Sequence, residues 1–297
     1  METGILSIAL LAAWSLIYII CKSIFDSNVY EINKEGETVY DEEGNKKIKY
    51  SKNIVQMFIF VVFIVVLFIF QIMASIFGYK NYAITSTGNE NIDISSKVPQ
   101  IILYTIIPWI VMFGSLVALL QIFPGWKLPF ANTFGYLIVK LLGIKKLATK
   151  LIISYDEVGN SLEPDTDDDN FNRAIRTVKP IIQDPSMILN EISSDNFDNF
   201  WKTMEDGKIL RSEENYKITY NKPREEARST LEKFINIKEN ISEYVWYILA
   251  GTFIASYVQR IITNIDPPVT NDQLKQEYND KVNEPEPDPG KTYVSDE

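Results

Sequence analysis

The chain has no histidine and a single cysteine among its 297 residues. Without histidine it lacks the most frequent general base, metal ligand and pH switch of proteins. With Cys21 alone, neither an internal disulfide nor a cysteine-ligated zinc site can form. Cys21 is interpreted either as an inert thiol at a helix end or as a juxtamembrane site of S-acylation. We therefore predict no catalytic, cofactor-binding or metal-binding residue and expect no cofactor.

Positive charge is scarce in the polar half of the chain. Residues 154–243 carry 20 acidic against 12 basic side chains, and the tail from Asp266 carries 9 against 3. Residues 1–153 are mildly basic, with 13 lysines against 10 acidic residues, so the net charge of −10 comes from the polar parts. Nucleic-acid binding needs a basic surface that displaces counterions, and we expect no nucleic-acid partner.

Long apolar runs are abundant. Four of them approach or exceed the roughly 20 residues that a helix needs to cross a bilayer. The strongest covers residues 54–78, where Gln56 and Gln71 are the only strongly polar side chains. An isolated span in lipid has to be helical, because each backbone polar group must be paired within its own segment. The predicted fold class is an all-α membrane protein with four transmembrane helices, an interfacial segment and a small acidic helical domain inserted before the last span.

The predicted boundaries divide the whole chain. The parts are transmembrane helix 1 (1–25), a polar lysine-rich loop (26–53), transmembrane helix 2 (54–78), a short polar loop (79–98), transmembrane helix 3 (99–122), an interfacial segment rich in Pro, Trp and Lys (123–153), the acidic helical domain (154–243), transmembrane helix 4 (244–264) and a disordered acidic tail (265–297). The first loop is either a small β-hairpin of residues 38–40 and 47–50 or a solvated loop. Lysines concentrate in this loop and in the interfacial segment. Because lysine-rich connections favour the cytosolic side, we expect both segments to face the cytosol and both termini to lie outside.

Prolines, aromatics and lysines combine around the end of the third span. Pro108 predicts a kink near residues 104–109. Pro124 and Pro129 then end the helix, and the chain is expected to continue in the membrane plane as an anchor. A further crossing is disfavoured, because each lysine near a helix centre costs on the order of 3 kcal/mol. The predicted membrane-interface residues are Trp126, Lys127, Phe130, Phe134, Tyr136, Lys140, Lys145, Lys146 and Lys150.

Small residues four positions apart predict close helix packing in two spans. The pairs are Ala9 with Ala13 in the first span and Gly251 with Ala255 in the fourth. This spacing lets helix backbones approach each other, although small residues are common in spans in general.

The acidic domain is predicted to contain short helices over residues 169–182, 185–193 and 196–204. The expected N-caps are Asp168 or Asp169, Asp184 and Asp195. The expected core consists of Met187, Ile188, Phe197, Phe200, Trp201 and Leu210. Pro223 begins a helical pattern that continues without a break into the fourth span.

Two segments carry a resemblance to a known group of proteins. Residues 123–136, Phe-Pro-Gly-Trp-Lys-Leu-Pro-Phe-Ala-Asn-Thr-Phe-Gly-Tyr, resemble a segment of multi-pass membrane proteins of nucleocytoplasmic large DNA viruses. Residues 241–251, Ile-Ser-Glu-Tyr-Val-Trp-Tyr-Ile-Leu-Ala-Gly, are similar to the same group, so the resemblance covers roughly residues 99–262. After the last span this group often has Tyr-Asn-Tyr, where this chain departs with Ser-Tyr-Val-Gln-Arg at 256–260.

The resemblance implies a structural protein of the virion's internal membrane, or of host endomembranes during assembly. Its expected partners are the lipid bilayer and other virion membrane, capsid or core proteins, and a homo-oligomer is compatible with the sequence. The resemblance transfers no catalytic residue.

Two other functions were weighed against a structural role. A small channel or transporter normally carries ionisable groups within its spans, and here Arg260 alone lies near the end of one. A membrane enzyme would have to use acids such as Asp195, Asp198 and Glu205, whose spacing matches no catalytic or metal template. The run 165–170 resembles the start of a calcium loop but lacks its glycine and closing glutamate.

Overall fold

The computed structural model describes residues 2–26, 28–33, 38–40, 47–152, 186–207 and 209–268, together with positions 275, 278, 279 and 282. Four helical runs within these residues are long and apolar enough to cross a membrane. The helices are α1 (Glu2–Ile24), α2 (Lys52–Thr87), α3 (Val98–Pro108), α4 (Gly114–Ile122), α5 (Leu128–Phe130), α6 (Tyr136–Leu141), α7 (Ile144–Leu151), α8 (Ser186–Glu191), α9 (Phe197–Asp206), α10 (Glu213–Tyr220) and α11 (Arg224–Ile262). The predicted all-α class with four membrane-spanning candidates is confirmed.

The four long runs pack side by side into a bundle. α1 packs against both α2 and α11, and α3 packs against the same two helices. The bundle core takes buried side chains from every run, among them Leu11, Tyr18, Phe63, Phe113 and Tyr247. The ring of Phe63 stacks on those of Tyr18 and Tyr247, at centroid distances of 4.3 and 5.8 Å, and the two tyrosine rings lie 6.3 Å apart. Aromatic rings from three helices thus fill the centre of one half of the bundle.

α2 continues beyond the predicted end of the second span. The helix runs to Thr87, through residues assigned to a polar loop. Tyr79 and Ala83 are fully buried against the bundle, and the Tyr79 hydroxyl donates to the backbone oxygen of Asp266 at 3.0 Å. Gly88 ends the helix in a left-handed conformation, with φ of 68° and its N–H bonded to the Ile84 oxygen. The predicted boundary at residue 78 was wrong because tertiary packing stabilises turns whose composition is polar.

The third run is one helix with a wide turn in it. It extends over Ser95–Ile122. A kink was predicted near Pro108, and a π-helical turn over Trp109–Phe113 directly follows this proline. Trp109 and Phe113 are both buried in the bundle core. The helix ends at Ile122, two residues before Pro124, the first of the two prolines that were predicted to stop it.

The lysine-rich loop contains a small antiparallel sheet. Its strands are β1 (Val29–Tyr30) and β2 (Ile48–Tyr50), and Ile32 bridges to Thr38. The hairpin interpretation therefore holds in part, since residues 48–50 form a strand but pair with Val29–Tyr30, a strand that the sequence pattern missed. Residues 41–46, between the two predicted strands, lie outside the described residues.

Residues 124–151 form a chain of short helical pieces. A 3₁₀ turn at Pro124–Lys127 leads into α5, a π-helical turn at Ala131–Gly135, α6 and α7. Gly143 breaks the run between α6 and α7 with φ of 99°, a conformation that favours glycine. None of these pieces is long enough to cross a bilayer.

A second core lies at one end of the bundle and joins α6–α7 to the helical domain. It contains Ile144, Leu151, Trp201, Leu231 and Ile235. The chain also bridges from Ile152 to Leu210, and the Arg211 N–H donates to the Leu151 oxygen at 2.8 Å. Residues on both sides of the predicted boundary at residue 153 therefore contribute to one core.

The short helices of the domain agree with prediction where they are described. α8 and α9 correspond to the predicted helices at 185–193 and 196–204, and Phe197, Trp201 and Leu210 are buried. Residues 169–182, with the caps at Asp168, Asp169 and Asp184, lie outside the described residues, as do the side chains of Met187 and Ile188.

One cap in the domain was predicted wrongly, and one helix was missed. The N-cap of α9 is Asn196 and not Asp195. The Asn196 side chain accepts from the Ser193 N–H at 2.8 Å and donates to the Glu191 oxygen at 3.0 Å. α10 was not predicted, although Ser212 caps it through a 3.2 Å bond from the Asn215 N–H. Two glutamates follow in its first turn, which is a readable start signal.

α11 begins after Pro223 and continues through Ile262, as predicted. Its first part belongs to the domain core, through Leu231 and Ile235. Its second part belongs to the bundle core, through Tyr247 and Ile254. The end of the bundle where these two parts meet is called the domain end below.

Candidate functional site

Three charged side chains from distant parts of the chain meet at the domain end. Glu243 of α11 accepts from Lys22 at 2.6 Å through one carboxylate oxygen and from Lys127 at 2.7 Å through the other. Lys22 lies in the last turn of α1, and Lys127 lies in the 3₁₀ turn after α4. We call these three residues the ion triad.

Burial makes the ion triad a cohesive unit. The Glu243 side chain is only 8% exposed, and the two lysines are 23% and 18% exposed. Burial by itself lowers the pKa of Lys127, but the Glu243 carboxylate outweighs it and holds that pKa above its ordinary value. Lys127 was predicted to reach lipid phosphates, whereas its ammonium is bound within the protein.

A cavity of about 280 Å³ opens beside the ion triad, between α1, α2, α4 and α11. Its lining includes the charged Lys22 and Glu243 and the Gln56 amide. The Gln56 amide donates to the Lys22 and Phe25 backbone oxygens, both at 3.0 Å, and so holds the end of α1. The remaining lining residues are Tyr18, Met57, Phe60, Val117, Leu120, Gln121 and Tyr247.

The two segments that carry the viral resemblance dock on each other at this place. Besides the pair of Lys127 with Glu243, the Ser242 hydroxyl donates to the Lys127 backbone oxygen at 2.6 Å. The Trp246 indole N–H donates to the Trp126 backbone oxygen at 2.9 Å, and the two indole rings stack at 6.2 Å. The turn after the third span is thereby attached to α11.

A buried lysine fixes the next contact along α11. Lys238 is fully buried, and its ammonium donates to the backbone oxygens of Leu189 at 2.6 Å and Ile192 at 3.0 Å. These carbonyls belong to the C-terminal end of α8, where a positive charge is favourable. A third bond, at 3.1 Å, goes to the side-chain oxygen of Asn132. Lys238 thus joins α8, α11 and the π-helical turn in one place.

The neighbouring Glu239 accepts hydrogen bonds, whereas Lys238 donates them. Its carboxylate accepts from the Ser194 N–H at 2.7 Å and from the Ser194 hydroxyl at 2.5 Å. Two successive residues of α11 thus bind the region around α8, Lys238 through the backbone carbonyl groups of that region and Glu239 through the N–H and O–H groups of Ser194. Neither residue was singled out from sequence, but Lys238 lies seven positions after Leu231 and three after Ile235, on the apolar stripe of the helix.

The predicted membrane-interface residues divide between two faces. Phe134 and Lys140 are exposed, as are Lys145 and Lys146, and they share their surface with exposed Leu137. Lys150 departs from the prediction, because its ammonium lies 5.2 Å from the centre of the Tyr220 ring. Trp126 is half exposed, and Phe130 and Tyr136 are partly buried, with Phe130 meeting Trp246 edge to face at 5.0 Å.

One of the two predicted packing pairs occupies a helix contact. Gly251 lies so close to α1 that a β-carbon there would overlap the Leu11 side chain, and Ala255 is buried. Ala9 and Ala13 instead lie on the exposed side of α1, so that prediction was wrong within a single chain. The inward face of α1 carries Ser7, whose hydroxyl donates to the Gln71 side chain. Each of these polar groups thereby has the partner that it needs within a span.

Cys21 and the acidic enzyme candidates show no catalytic arrangement in the described residues. Cys21 is half buried beside an apolar cavity of about 160 Å³ between α1 and α2. Asp198 pairs with Arg228 at 2.6 Å, and Glu205 pairs with Arg224, which accounts for both acids structurally. No group of three metal-ligating side chains occurs in the part of the chain that the structure describes.

Comparison with protein-family models, curated proteins and solved structures finds no match for the chain. Its functional interpretation therefore depends on the geometry above and on the resemblance of residues 123–136 and 241–251.

Proposed function

We propose that this chain is a non-enzymatic structural membrane protein, and specifically one of the internal membrane of a large DNA virus particle. Four apolar helices hold it in the bilayer, and the helical domain at one end contacts capsid or core proteins. The virion assignment rests on the resemblance of residues 123–136 and 241–251. The scaffold role rests on the geometry of the described residues.

The observation that carries the scaffold role is the continuity of α11. This single helix of 39 residues contributes Tyr247 to the bundle core and Ile235 to the domain core. At 1.5 Å per residue its length is about 58 Å, nearly twice the hydrocarbon thickness of a bilayer. Because one helix belongs to both cores, it fixes the position of the domain relative to the bundle. A protein that connects a lipid layer to a protein layer needs such a rigid joint.

A lipid-facing surface on the interfacial segment supports the same role. Leu137, Leu141 and Leu142 are exposed beside Phe134, and Lys140 follows at the edge of this surface. An apolar face bordered by lysines suits the boundary between acyl chains and phosphates. The opposite face of these helices packs on the domain core through Val139 and Ile144. The segment therefore couples the membrane surface to the domain.

The alternative, a small channel or transporter component, is less well supported by the packing. Next to the ion triad, the rings of Tyr18, Phe63, Phe113 and Tyr247 contact one another between the spans. A conduction path through the bundle would have to pass this cluster. Ion flux through proteoliposomes that contain the full chain measures the alternative directly, and flux above that of empty vesicles would favour it.

Site-specific photocrosslinking in assembling particles tests the proposed function. A photoreactive residue at Lys202 or Lys217, both exposed on the domain, should yield crosslinks to capsid or core proteins. The same group at Ser86, exposed at the other end of the bundle, is the control and should not. Absence of the chain from detergent-stripped particles, or crosslinks to capsid proteins from Ser86 alone, would contradict the proposal.

A further inference from the structure

The cavity beside the ion triad has the form of a binding site that the scaffold role does not use. It lies among the ends of α1, α2 and α4, at the level where the lysines and tryptophans of the domain end begin. Its lining combines charged and amide groups with apolar and aromatic side chains. Such a combination matches a molecule with a polar head and an apolar body.

The hydrogen-bond donors of the cavity suit an anion, although the carboxylates of Glu239 and Asp195 also act on Lys127. Both carboxylate oxygens of Glu243 are already occupied, one by Lys22 and one by Lys127. The ion triad holds two positive charges against one negative charge. Lys22 lines the cavity and has three N–H donors, of which the bond to Glu243 uses one. The Lys22 ammonium therefore has N–H donors left for a ligand, whereas the Glu243 carboxylate already accepts hydrogen bonds from both lysines.

A second donor faces the same space. Gln121, in the last turn of α4, lines the cavity with its side chain exposed. Its amide has no hydrogen-bond partner among the residues that the structure describes. An ammonium from α1 and an amide N–H₂ from α4 are suitable ligands for the oxygens of a phosphate group.

The apolar part of the lining decides between a soluble phosphate compound and a lipid. Met57 and Phe60 of α2 and Val117 of α4 line the cavity, and all three belong to helical runs apolar enough to span a membrane. Met57 is 62% exposed, so the opening is lateral and apolar. A ligand that enters here arrives from the bilayer and leaves its acyl chains between α2 and α4.

We propose that this cavity binds one membrane phospholipid, with its phosphodiester held by Lys22 and Gln121 and its acyl chains against Met57, Phe60 and Val117. The bound lipid adds contacts between α2 and α4 at the domain end. This inference requires only that the bundle lies in a membrane and is independent of the virion role.

Native mass spectrometry of the full chain in detergent, titrated with defined lipids, tests the proposal. Phosphatidylglycerol should bind one molecule per chain. Diacylglycerol, which has the acyl chains without the phosphate, should bind about tenfold more weakly, and glycerol 3-phosphate, which has the phosphate without the chains, should not bind measurably. Equal binding of diacylglycerol would overturn the phosphate contact, and tight binding of glycerol 3-phosphate would overturn the lipid.

Two matched pairs of variants locate the site. Met57→Trp fills the opening, and Met73→Trp is its control, because Met73 lies on the same helix, is 61% exposed and does not line the cavity. Gln121→Leu removes the amide donor, and Gln100→Leu is the control in the third run. We expect affinity for phosphatidylglycerol to fall about tenfold in the first member of each pair and to stay unchanged in the second. If both members of either folded pair bind equally, the site is not this cavity.

Discussion

Gly135 faces the backbone carbonyl of Lys238 so closely that a β-carbon at position 135 would overlap the carbonyl oxygen. The contact joins the π-helical turn after the third run to α11, where the Lys238 side chain binds α8. One position without a side chain thus lets the interfacial segment, the domain and the last span meet.

Gly135→Ala is expected to destabilise the attachment of the interfacial segment to α11. The added methyl group has backbone atoms as its nearest neighbours, which cannot rotate away, so we expect a loss of about 1–3 kcal/mol. Gly125→Ala is the matched control, because a β-carbon there meets nothing within 4 Å. Thermal denaturation in detergent measures both. Equal stability of the two variants would show that the segment is not packed on α11 as described.

Lys238→Met should loosen the segment between α8 and α9. The substitution keeps an unbranched chain but leaves the Leu189 and Ile192 carbonyls without their shared donor, at a cost of about 1–3 kcal/mol. Lys233→Met, on an exposed side of the same helix, is the control. Hydrogen exchange of residues 186–207 should accelerate in the first variant only. Unchanged exchange of residues 186–207 in Lys238→Met would contradict the structural role of this lysine.

Glu243→Gln should destabilise the domain end of the bundle. It removes the charge that both Lys22 and Lys127 bind, and two partly buried ammonium groups are left facing each other. Removal of one partner of a buried ion pair costs about 3–5 kcal/mol. Glu232→Gln is the control, since that side chain is exposed on the same helix. Chemical denaturation in mild detergent measures the difference, and similar midpoints for the two variants would be inconsistent with a cohesive ion triad.

The contribution of Lys127 should persist through neutral pH and disappear only in strong alkali. Burial alone would lower the pKa of Lys127, yet the Glu243 charge raises it above the ordinary 10.5. A group whose pKa is raised in the folded state stabilises fully below its unfolded pKa and loses that stability as the pH rises through the folded pKa. The stability difference between the natural chain and Lys127→Met should therefore be constant from about pH 7 to 9.5 and shrink above about pH 10.5. A difference that shrinks already below pH 9 would refute the pairing.

Single-cysteine labelling should place the two ends of the bundle on opposite sides of the membrane. In a Cys21→Ser background, Ser86→Cys lies at the end of α2 and Thr203→Cys lies on the exposed face of α9. A membrane-impermeant maleimide added outside sealed vesicles should react with one of them, and the other should require permeabilised vesicles. Reaction of both from the same side would rule out the four-span topology.

The sequence alone predicts those features that depend on composition over short distances. The long apolar runs around Ile54 and Ile101 require helices, because backbone groups in lipid cannot remain unpaired. The stop before Pro124 and the start after Pro223 follow from the missing N–H and fixed φ of proline. The Ser212 cap of α10 was equally local and could have been used.

Tertiary structure alone decided which side chains meet. Lys22, Lys127 and Glu243 each look like ordinary charges beside an apolar run, and 221 residues separate the first from the last. Likewise Tyr79 lies in a stretch of polar composition, and its burial extends α2 beyond the predicted end. Ala9 and Gly251 have the same local pattern, but only Gly251 faces another helix. Helix formation depends on neighbours in sequence, whereas burial and ion pairing depend on distances in space, and only the packed bundle determines those.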